Sequence, residues 1–177
     1  TPDHGVTRRS GPSAAPDGFE LHVSLREVPL LRLAGLEHRG SYMGVGKAFE
    51  IAFAHLHGAG LMGPDTQGLA AYLDDPFSVA ESRLRSRAGW TLPEGTSAPA
   101  PLVEFQLGGC QCAVLRWRGP YADLRAAYQR LYGEWLPASG LEPLDQPVFE
   151  AYLNNPRDTA PQDLLTDILL PVGPPIV

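Results

Sequence analysis

The tetrapeptide Arg39-Gly40-Ser41-Tyr42 recurs about 79 residues later as Arg118-Gly119-Pro120-Tyr121, and each copy is followed by the same apolar pattern. The spacing in both places is that of one helical stripe: Val45, Phe49, Ala52, Phe53 and Leu56, and then Leu124, Tyr128, Leu131, Tyr132 and Trp135. Ser41 is a typical N-cap residue, and proline is tolerated in a first helical turn. Because self-similarity at a fixed spacing marks repeated structural units, the sequence predicts a tandem duplication.

A second pair of motifs follows the helices. Tyr72-Leu73-Asp74-Asp75-Pro76 matches Tyr152-Leu153-Asn154-Asn155-Pro156, and the Asp and Asn residues close turns by bonding their own backbone. Apolar strand patterns flank these turns and also precede each tetrapeptide. The predicted unit is therefore strand, helix, strand, strand, present twice. We expect an α+β fold with two antiparallel sheets, related by a pseudo-twofold axis, and a groove between them.

The predicted boundaries follow the composition. Residues 1–18 are rich in Gly, Pro and small polar residues, which is typical of a disordered linker or tail. Residues 19–177 form one predicted domain with halves 19–93 and 102–172, joined by a Pro-rich linker. Because the chain starts at Thr1 and not at Met, we expect that a further segment precedes it in the native protein.

The charge balance restricts the classes of partner. The 177 residues include 14 basic and 20 acidic side chains, a net charge of −6, so the long-range field repels nucleic acid and anionic lipid. No apolar run approaches the roughly 20 residues that cross a bilayer, and no signal peptide is recognisable. Cys110 and Cys112 are read as free thiols. We expect a cytoplasmic protein that binds neither nucleic acid nor membrane itself.

The two copies differ at one carboxylate. Glu150 precedes Ala151-Tyr152, whereas Ala70 precedes Ala71-Tyr72. In a strand, Glu150 and Tyr152 share one face, and the matching face of the first copy carries Gly68, Ala70 and Tyr72. Small side chains opposite a carboxylate, framed by two tyrosines, predict a seat for a flat or cationic molecule. The alternative for Glu150 is a solvated sheet edge or an arginine partner.

Four further residues are candidates for the same groove. His38 and Trp117 end equivalent strands, where they either wall the groove or pack in the core. Tyr42 and Tyr121 open the two helices and serve either as the rim of a pocket or as structural plugs. The predicted ligand-binding residues are therefore Glu150, Tyr152, Tyr72, Ala70, Gly68, Trp117, His38, Tyr42 and Tyr121.

No metal or cofactor site is predicted. Gly44-Val45-Gly46-Lys47 lacks the first glycine and the final Ser or Thr of a phosphate loop. His55 and His57 lie two residues apart on a helix, hence on different faces. No serine or cysteine stands in a recognisable nucleophile motif.

The repeated Arg-Gly-Ser/Pro-Tyr motif, residues 131–140 (Leu-Tyr-Gly-Glu-Trp-Leu-Pro-Ala-Ser-Gly) and residues 149–159 (Phe-Glu-Ala-Tyr-Leu-Asn-Asn-Pro-Arg-Asp-Thr) resemble the GyrI-like family. These are small-molecule binding domains that occur alone or behind AraC-type and MerR-type DNA-binding modules. The resemblance implies a duplicated fold with a ligand groove and an acidic residue facing lipophilic cations, here Glu150. Some relatives bind DNA gyrase, and others resemble hydrolases of cyclopropane-bearing DNA alkylators.

Three functions are therefore open. The first is a binding module for an amphipathic, aromatic or cationic ligand, either as the effector domain of a transcription regulator or alone. The second is a hydrolase of strained genotoxins, with Glu150 as general acid or base and Tyr152 as hydrogen-bond donor. The third is an interaction module with a protein partner such as DNA gyrase.

Overall fold

The computed structural model describes residues 22–175, and the predicted tail (1–18) lies outside them. Within this range the strands follow the predicted order, and one further strand of two residues follows the second helix. They are β1 (Val23–Val28), β2 (Leu31–Arg39), β3 (Gly68–Tyr72), β4 (Arg85–Thr91), β5 (Val103–Leu107), β6 (Cys110–Arg118), β7 (Glu142–Pro143), β8 (Val148–Tyr152) and β9 (Leu165–Gly173). No helix among the described residues is long and apolar enough to cross a membrane.

Each predicted helix forms, preceded by a short 3₁₀ turn. The helices are α1 (Gly46–Gly58), and α2 (Leu124–Arg130) continuing through a π-helical segment (Leu131–Trp135) into α3 (Leu136–Ser139). Ser41 accepts a hydrogen bond from the Met43 N–H and so caps the 3₁₀ turn and not α1 itself. Gly40 and Gly119 both have positive φ, which explains why glycine follows arginine in the repeated tetrapeptide.

The expectation of two sheets is wrong. Eight strands form one antiparallel sheet in the order β1-β6-β9-β8-β3-β4-β2-β5, and β7 pairs with β9. The junction is the pairing of β3 with β8, from Gly68 opposite Tyr152 to Tyr72 opposite Val148. A strand at the edge of a sheet carries unpaired backbone N–H and C=O groups, and the pairing of β3 with β8 gives these groups of both strands a partner. The two strands that would border separate sheets therefore become the centre of a single one.

The first strand of each predicted half pairs within the other half. Strand β1 pairs with β6, and β5 pairs with β2. The connections β1–β2 and β5–β6 are only two residues long, although each joins opposite ends of the strand order. The sheet must therefore bend until its ends meet, and there the Gly109 N–H donates to the Val28 carbonyl oxygen at 2.9 Å.

The bent sheet has two packed faces. On one face α1 buries Ala48, Ala52 and Leu56, and α2 buries Leu124 and Ala127. The opposite face encloses a core made of strand residues, including Leu33, Leu69, Phe105, Val114, Phe149 and Leu169. Both helices thus lie on the same side of the central strands, and the space between them is the site described next.

Candidate ligand-binding groove

A groove of about 1850 Å³ opens between the two helices above the central strands β3 and β8. Aromatic rings from both sides line it, including Phe49, Phe53, Trp90, Tyr121, Tyr128 and Tyr132. Several of them pack edge to face, and the ring centroids of Phe49 and Tyr152 are 5.3 Å apart. Such a surface suits a flat, apolar molecule.

The carboxylate of Glu150 lies at the floor of this groove and is only 4% exposed. Tyr128 of α2 donates a hydrogen bond to its Oε2 atom. Tyr152 donates to Oε1 at 2.7 Å, and the Tyr72 hydroxyl lies 3.4 Å from the same oxygen. The alternative of a solvated edge or an arginine partner is therefore wrong, because hydroxyl groups surround this carboxylate.

The hydroxyl groups form a directed chain. The Tyr72 and Tyr152 hydroxyl oxygens are 2.6 Å apart. Because Tyr152 gives its single proton to Glu150, Tyr72 is the donor between the two tyrosines. One carboxylate thus orients three tyrosines, which come from β3, α2 and β8.

Burial controls the protonation of this cluster. Desolvation raises the pKa of Glu150 above its ordinary value, while hydrogen bonds from Tyr128 and Tyr152 and the nearby Tyr72 hydroxyl dipole act in the opposite direction. Desolvation first, and then the Glu150 charge, raise the pKa of each of these three tyrosines well above its ordinary value. The tyrosines therefore remain neutral donors at neutral pH, and Glu150 is the group of this cluster that can carry a charge.

Small residues across the strand pair make room for this arrangement. Ala70 stands directly opposite Glu150 and is fully buried, and Gly68 stands opposite Tyr152. A Cβ atom on Gly68 would lie 3.1 Å from the Trp90 ring and 3.4 Å from Phe49. The small side chains predicted from the sequence thus let aromatic rings approach the sheet.

Six of the nine predicted ligand-binding residues line the groove: Tyr42, Gly68, Tyr72, Tyr121, Glu150 and Tyr152. Their role in binding stays a prediction. Tyr42 also has a structural part, because its hydroxyl donates to the Asp74 carbonyl oxygen at 2.6 Å and accepts from the Asp74 N–H at 3.0 Å. It is therefore both a rim residue and a support for the loop after β3.

The other three predicted residues lie outside the groove. Trp117 is 3% exposed and packs in the core beneath α2, with its Nε1–H donating to the Pro120 carbonyl oxygen at 3.3 Å. The His38 Nε2 atom lies 3.0 Å from the Ser41 carbonyl oxygen. Both rings lie against the turn that precedes a helix: Trp117 is buried beside Gly119, and the partly buried His38 lies beside Gly44. Ala70 contributes only by its small size, since it is covered by Ala48 and Ala88.

Three aromatic residues line the groove that were not among the predicted ones: Tyr128, Phe49 and Trp90. Tyr128 was visible as a tyrosine within the apolar stripe of a predicted helix, and a buried hydroxyl needs a partner. The position of Tyr128 in the stripe does not reveal that Glu150 is the partner of its hydroxyl. Phe49 occupies the matching place in the first stripe, and its backbone oxygen accepts a hydrogen bond from the Trp90 Nε1–H at 3.1 Å.

The groove is acidic. Two guanidinium groups line it, Arg125 and Arg157, against seven carboxylates: Glu50, Asp65, Asp74, Asp75, Glu81, Glu150 and Asp158. No cluster of three or more His, Cys, Asp or Glu residues within 22–175 has the geometry to hold a metal ion. The arrangement can therefore attract a cation electrostatically and stabilise it against aromatic faces.

Two curated proteins resemble this chain in sequence. The transcriptional regulator BrlR of Pseudomonas aeruginosa is 26% identical over 156 residues, which are 86% of this chain and 56% of that protein. A DNA gyrase inhibitor of Edwardsiella piscicida is 28% identical over 162 residues, 88% of this chain and 98% of that protein. The chain thus spans little more than half the length of the regulator but nearly all of the inhibitor.

Two solved structures share the fold. The EcmrR C-terminal domain superposes with a TM-score of 0.76 at 17% identity, covering 89% of this chain and 100% of that domain. SAV2435 bound to tetraphenylphosphonium superposes with a TM-score of 0.59 at 14% identity, covering 88% and 94%. The model of the GyrI-like small molecule binding domain matches residues 22–173. The chain therefore belongs to the GyrI-like small-molecule binding domain family.

Proposed function

We propose that this domain binds a lipophilic aromatic cation in the groove, with Glu150 as its counter-ion. The observation that carries the proposal is a carboxylate that is 4% exposed at the floor of the groove, accepts hydrogen bonds from the Tyr128 and Tyr152 hydroxyls, and has the Tyr72 hydroxyl beside it. A cationic ligand with aromatic substituents matches both the buried charge and the apolar walls.

The energetics favour a cation over a neutral compound of the same shape. An ion pair is stronger in a site of low effective dielectric than in water. Each aromatic face near the cation adds about 0.5–2 kcal/mol. The hydroxyls already hold the carboxylate in place, so little reorganisation is needed when the ligand enters. The tetraphenylphosphonium bound by SAV2435, which shares this fold, is a ligand of the proposed class.

Calorimetric titration with tetraphenylphosphonium and tetraphenylborate tests the proposal, because these ions have the same shape and opposite charges. The wild-type domain is expected to bind the phosphonium and not the borate. Glu150→Gln is expected to weaken phosphonium binding by about 10- to 100-fold, since it removes the charge and keeps the side-chain shape.

Glu50→Gln is the matched control, because Glu50 also lines the groove but its side chain is 70% exposed. A solvated charge contributes little, so this variant should change affinity less than threefold. Equal phosphonium affinity in the wild type and Glu150→Gln, with the fold of both verified by circular dichroism, would refute the proposal.

A role in regulation is the wider part of this proposal. The likeness to BrlR supports an effector domain that acts together with a DNA-binding segment, and a cytoplasmic setting stays a prediction. A protein-interaction role is the second candidate, because the gyrase inhibitor of Edwardsiella piscicida is matched over 98% of its length. Capture of gyrase that is unchanged by Glu150→Gln would favour that role.

Hydrolysis with Glu150 and Tyr152 also stays a prediction. Both carboxylate oxygens of Glu150 already accept hydrogen bonds from tyrosine hydroxyls, which suits an anchor better than a general base.

Finally, we propose that the repeated sequences are duplicated units. The sequence counterparts are β1 and β5, β2 and β6, β3 and β8, and β4 and β9. The strand order supports duplication, because exchanging each strand of β1-β6-β9-β8 for its counterpart gives β5-β2-β4-β3, which is the other half of the sheet counted from its opposite edge.

A further inference from the structure

The two guanidinium groups of the groove differ in their partners. Arg157 lies 3.8 Å from the Glu50 carboxylate of α1. Arg125 of α2 forms no ion pair with any residue in 22–175, although seven carboxylates line the same groove. Its guanidinium lies instead over the ring of Phe77, 4.8 Å from the centroid. Arg125 is thus a cation at the groove without an anionic partner in the described part of the chain.

The contact with Phe77 holds this cation at the groove. Phe77 belongs to the loop after β3, is 65% exposed and also lines the groove. A guanidinium over an aromatic face keeps N–H donors for a carboxylate, whose two oxygens match its fork. The pair is therefore suited to receive an anionic group while the ring covers one side of the guanidinium.

Neighbouring Asp75 does not supply that anion. Its Oδ1 accepts from the Phe77 N–H at 2.9 Å, and its Oδ2 accepts from the Ser78 hydroxyl at 2.7 Å. These bonds commit the carboxylate to the turn of its own loop. The space beside the Arg125 guanidinium, where an anionic partner would lie, is consequently open to a ligand.

Arg125 also has a fixed relation to the buried carboxylate. It precedes Tyr128 by three residues on α2, so the two side chains lie on the same face, with Cβ atoms about 5–6 Å apart. Tyr128 donates to Glu150. The groove therefore presents a negative group at its floor and a positive group on α2, the helix whose Tyr128 contacts that negative group.

We propose that the groove prefers zwitterionic aromatic ligands, which place a cation against Glu150 and a carboxylate against Arg125. This inference rests on the proposed function and adds the second charge of the ligand. A simple lipophilic cation satisfies one of the two groups, whereas a zwitterion satisfies both and brings no net charge into the groove.

The test compares (4-carboxybutyl)triphenylphosphonium with its methyl ester by calorimetric titration of the full chain at pH 7.5. The two probes share the cation, the rings and the spacer, and differ only in the anionic end. The readout is the ratio of the two affinities within each protein, so any general effect of a substitution on the groove cancels. The wild type is expected to bind the carboxylate probe about three- to tenfold more tightly than the methyl ester, and this preference should decrease at high salt.

Arg125→Gln should bring this ratio to about one, whereas Arg157→Gln, which removes the other guanidinium of the groove, should leave a clear preference for the carboxylate. Equal affinities in the wild type, or a preference that survives Arg125→Gln, would overturn the inference. Neither result affects the proposed function as long as the ester binds and Glu150→Gln weakens it. Failure of the ester to bind would overturn both proposals.

Discussion

Strands β3 and β8 lie side by side at the centre of the sheet but give the groove different chemistry. Both end in a tyrosine that faces the groove, Tyr72 and Tyr152. Between them Ala70 stands directly opposite Glu150. The helices differ in the same way, since α1 contributes the hydrocarbon ring of Phe49 and α2 contributes the hydroxyl of Tyr128. At the floor of the groove, one side supplies space and apolar surface, and the other supplies the buried carboxylate.

This division has a physical reason. Carboxylates on both strands would face each other across a strand pair, and a shared buried site cannot hold two such charges without raising the pKa of one of them strongly. A single carboxylate can accept hydrogen bonds from Tyr128 and Tyr152, and Tyr152 in turn accepts one from Tyr72. The charge of that carboxylate is then available to a ligand. Substitutions that make the two sides more alike test whether the difference is required.

The largest effect is expected when β3 receives its own carboxylate. Ala70→Glu places a second charge opposite Glu150 at a fully buried position packed by Ala48 and Ala88. We expect a loss of about 4 kcal/mol or more in the free energy of unfolding, measured by urea denaturation. Ala70→Gln separates the causes, because it has the same shape without the charge. If both variants lose the same free energy, charge repulsion between the strands is not part of the effect.

A smaller loss is expected when α2 is made to resemble α1. Tyr128→Phe removes one of the hydrogen bonds that hold the buried Glu150 carboxylate. We expect the free energy of unfolding at neutral pH to fall by about 1–3 kcal/mol, the usual cost of an unmade bond to a buried charged group. Tyr132→Phe is the control on the same helical stretch, because Tyr132 is 41% exposed. Surface substitutions usually change the free energy of unfolding by less than about 0.5 kcal/mol, and we expect the same of this one.

The loss caused by Tyr128→Phe should also depend on pH. The folded-state pKa of Glu150 is raised by burial, so its contribution to stability is complete below the ordinary glutamate pKa of 4.5 and is lost as pH rises through the folded value. Removing a donor to the charged form raises that pKa further. The two stability curves should therefore converge in acid and separate towards neutral pH, and parallel curves would contradict this role of Tyr128.

The smallest effect is expected when α1 is made to resemble α2. Phe49→Tyr adds a hydroxyl on the side of the groove where the facing strand carries Ala70 and not an acid. We expect a change in unfolding free energy of less than about 1 kcal/mol and a change in phosphonium affinity of less than about threefold. A large gain in affinity would show that the two sides are more alike than their sequences indicate.

For the site, the sequence supplied the position of the acid but not its surroundings. Glu150 was identified because Ala70 occupies the matching position, and strand alternation placed Tyr152 on the same face. Tyr128 could not be connected with Glu150, since the contact joins residues of different elements, 22 positions apart. His38 and Trp117 were assigned to the groove from strand phase alone, which does not show that a helical turn covers them.

For the fold, local patterns were sufficient to predict the helices and most strands. The apolar stripe, the turn residues and the glycine after Arg39 and Arg118 depend on short-range backbone and side-chain preferences that can be read from the sequence. The pairing partners of β1 and β5 were not foreseen, although both strands were predicted. Partner choice depends on how the sheet bends so that two connections far apart in sequence, Pro29–Leu30 and Gly108–Gly109, come into contact.

By itself, the sequence determined the order of the elements, the face on which each side chain lies and the strand that carries the acid, because these follow from the local periods of helix and strand. Only the tertiary structure decided that the sheet is continuous, that Ala70 faces Glu150 and that three hydroxyls from β3, α2 and β8 converge on one carboxylate. Those features are contacts between distant segments, and they arise when unpaired strand edges and buried polar groups find partners in the compact chain.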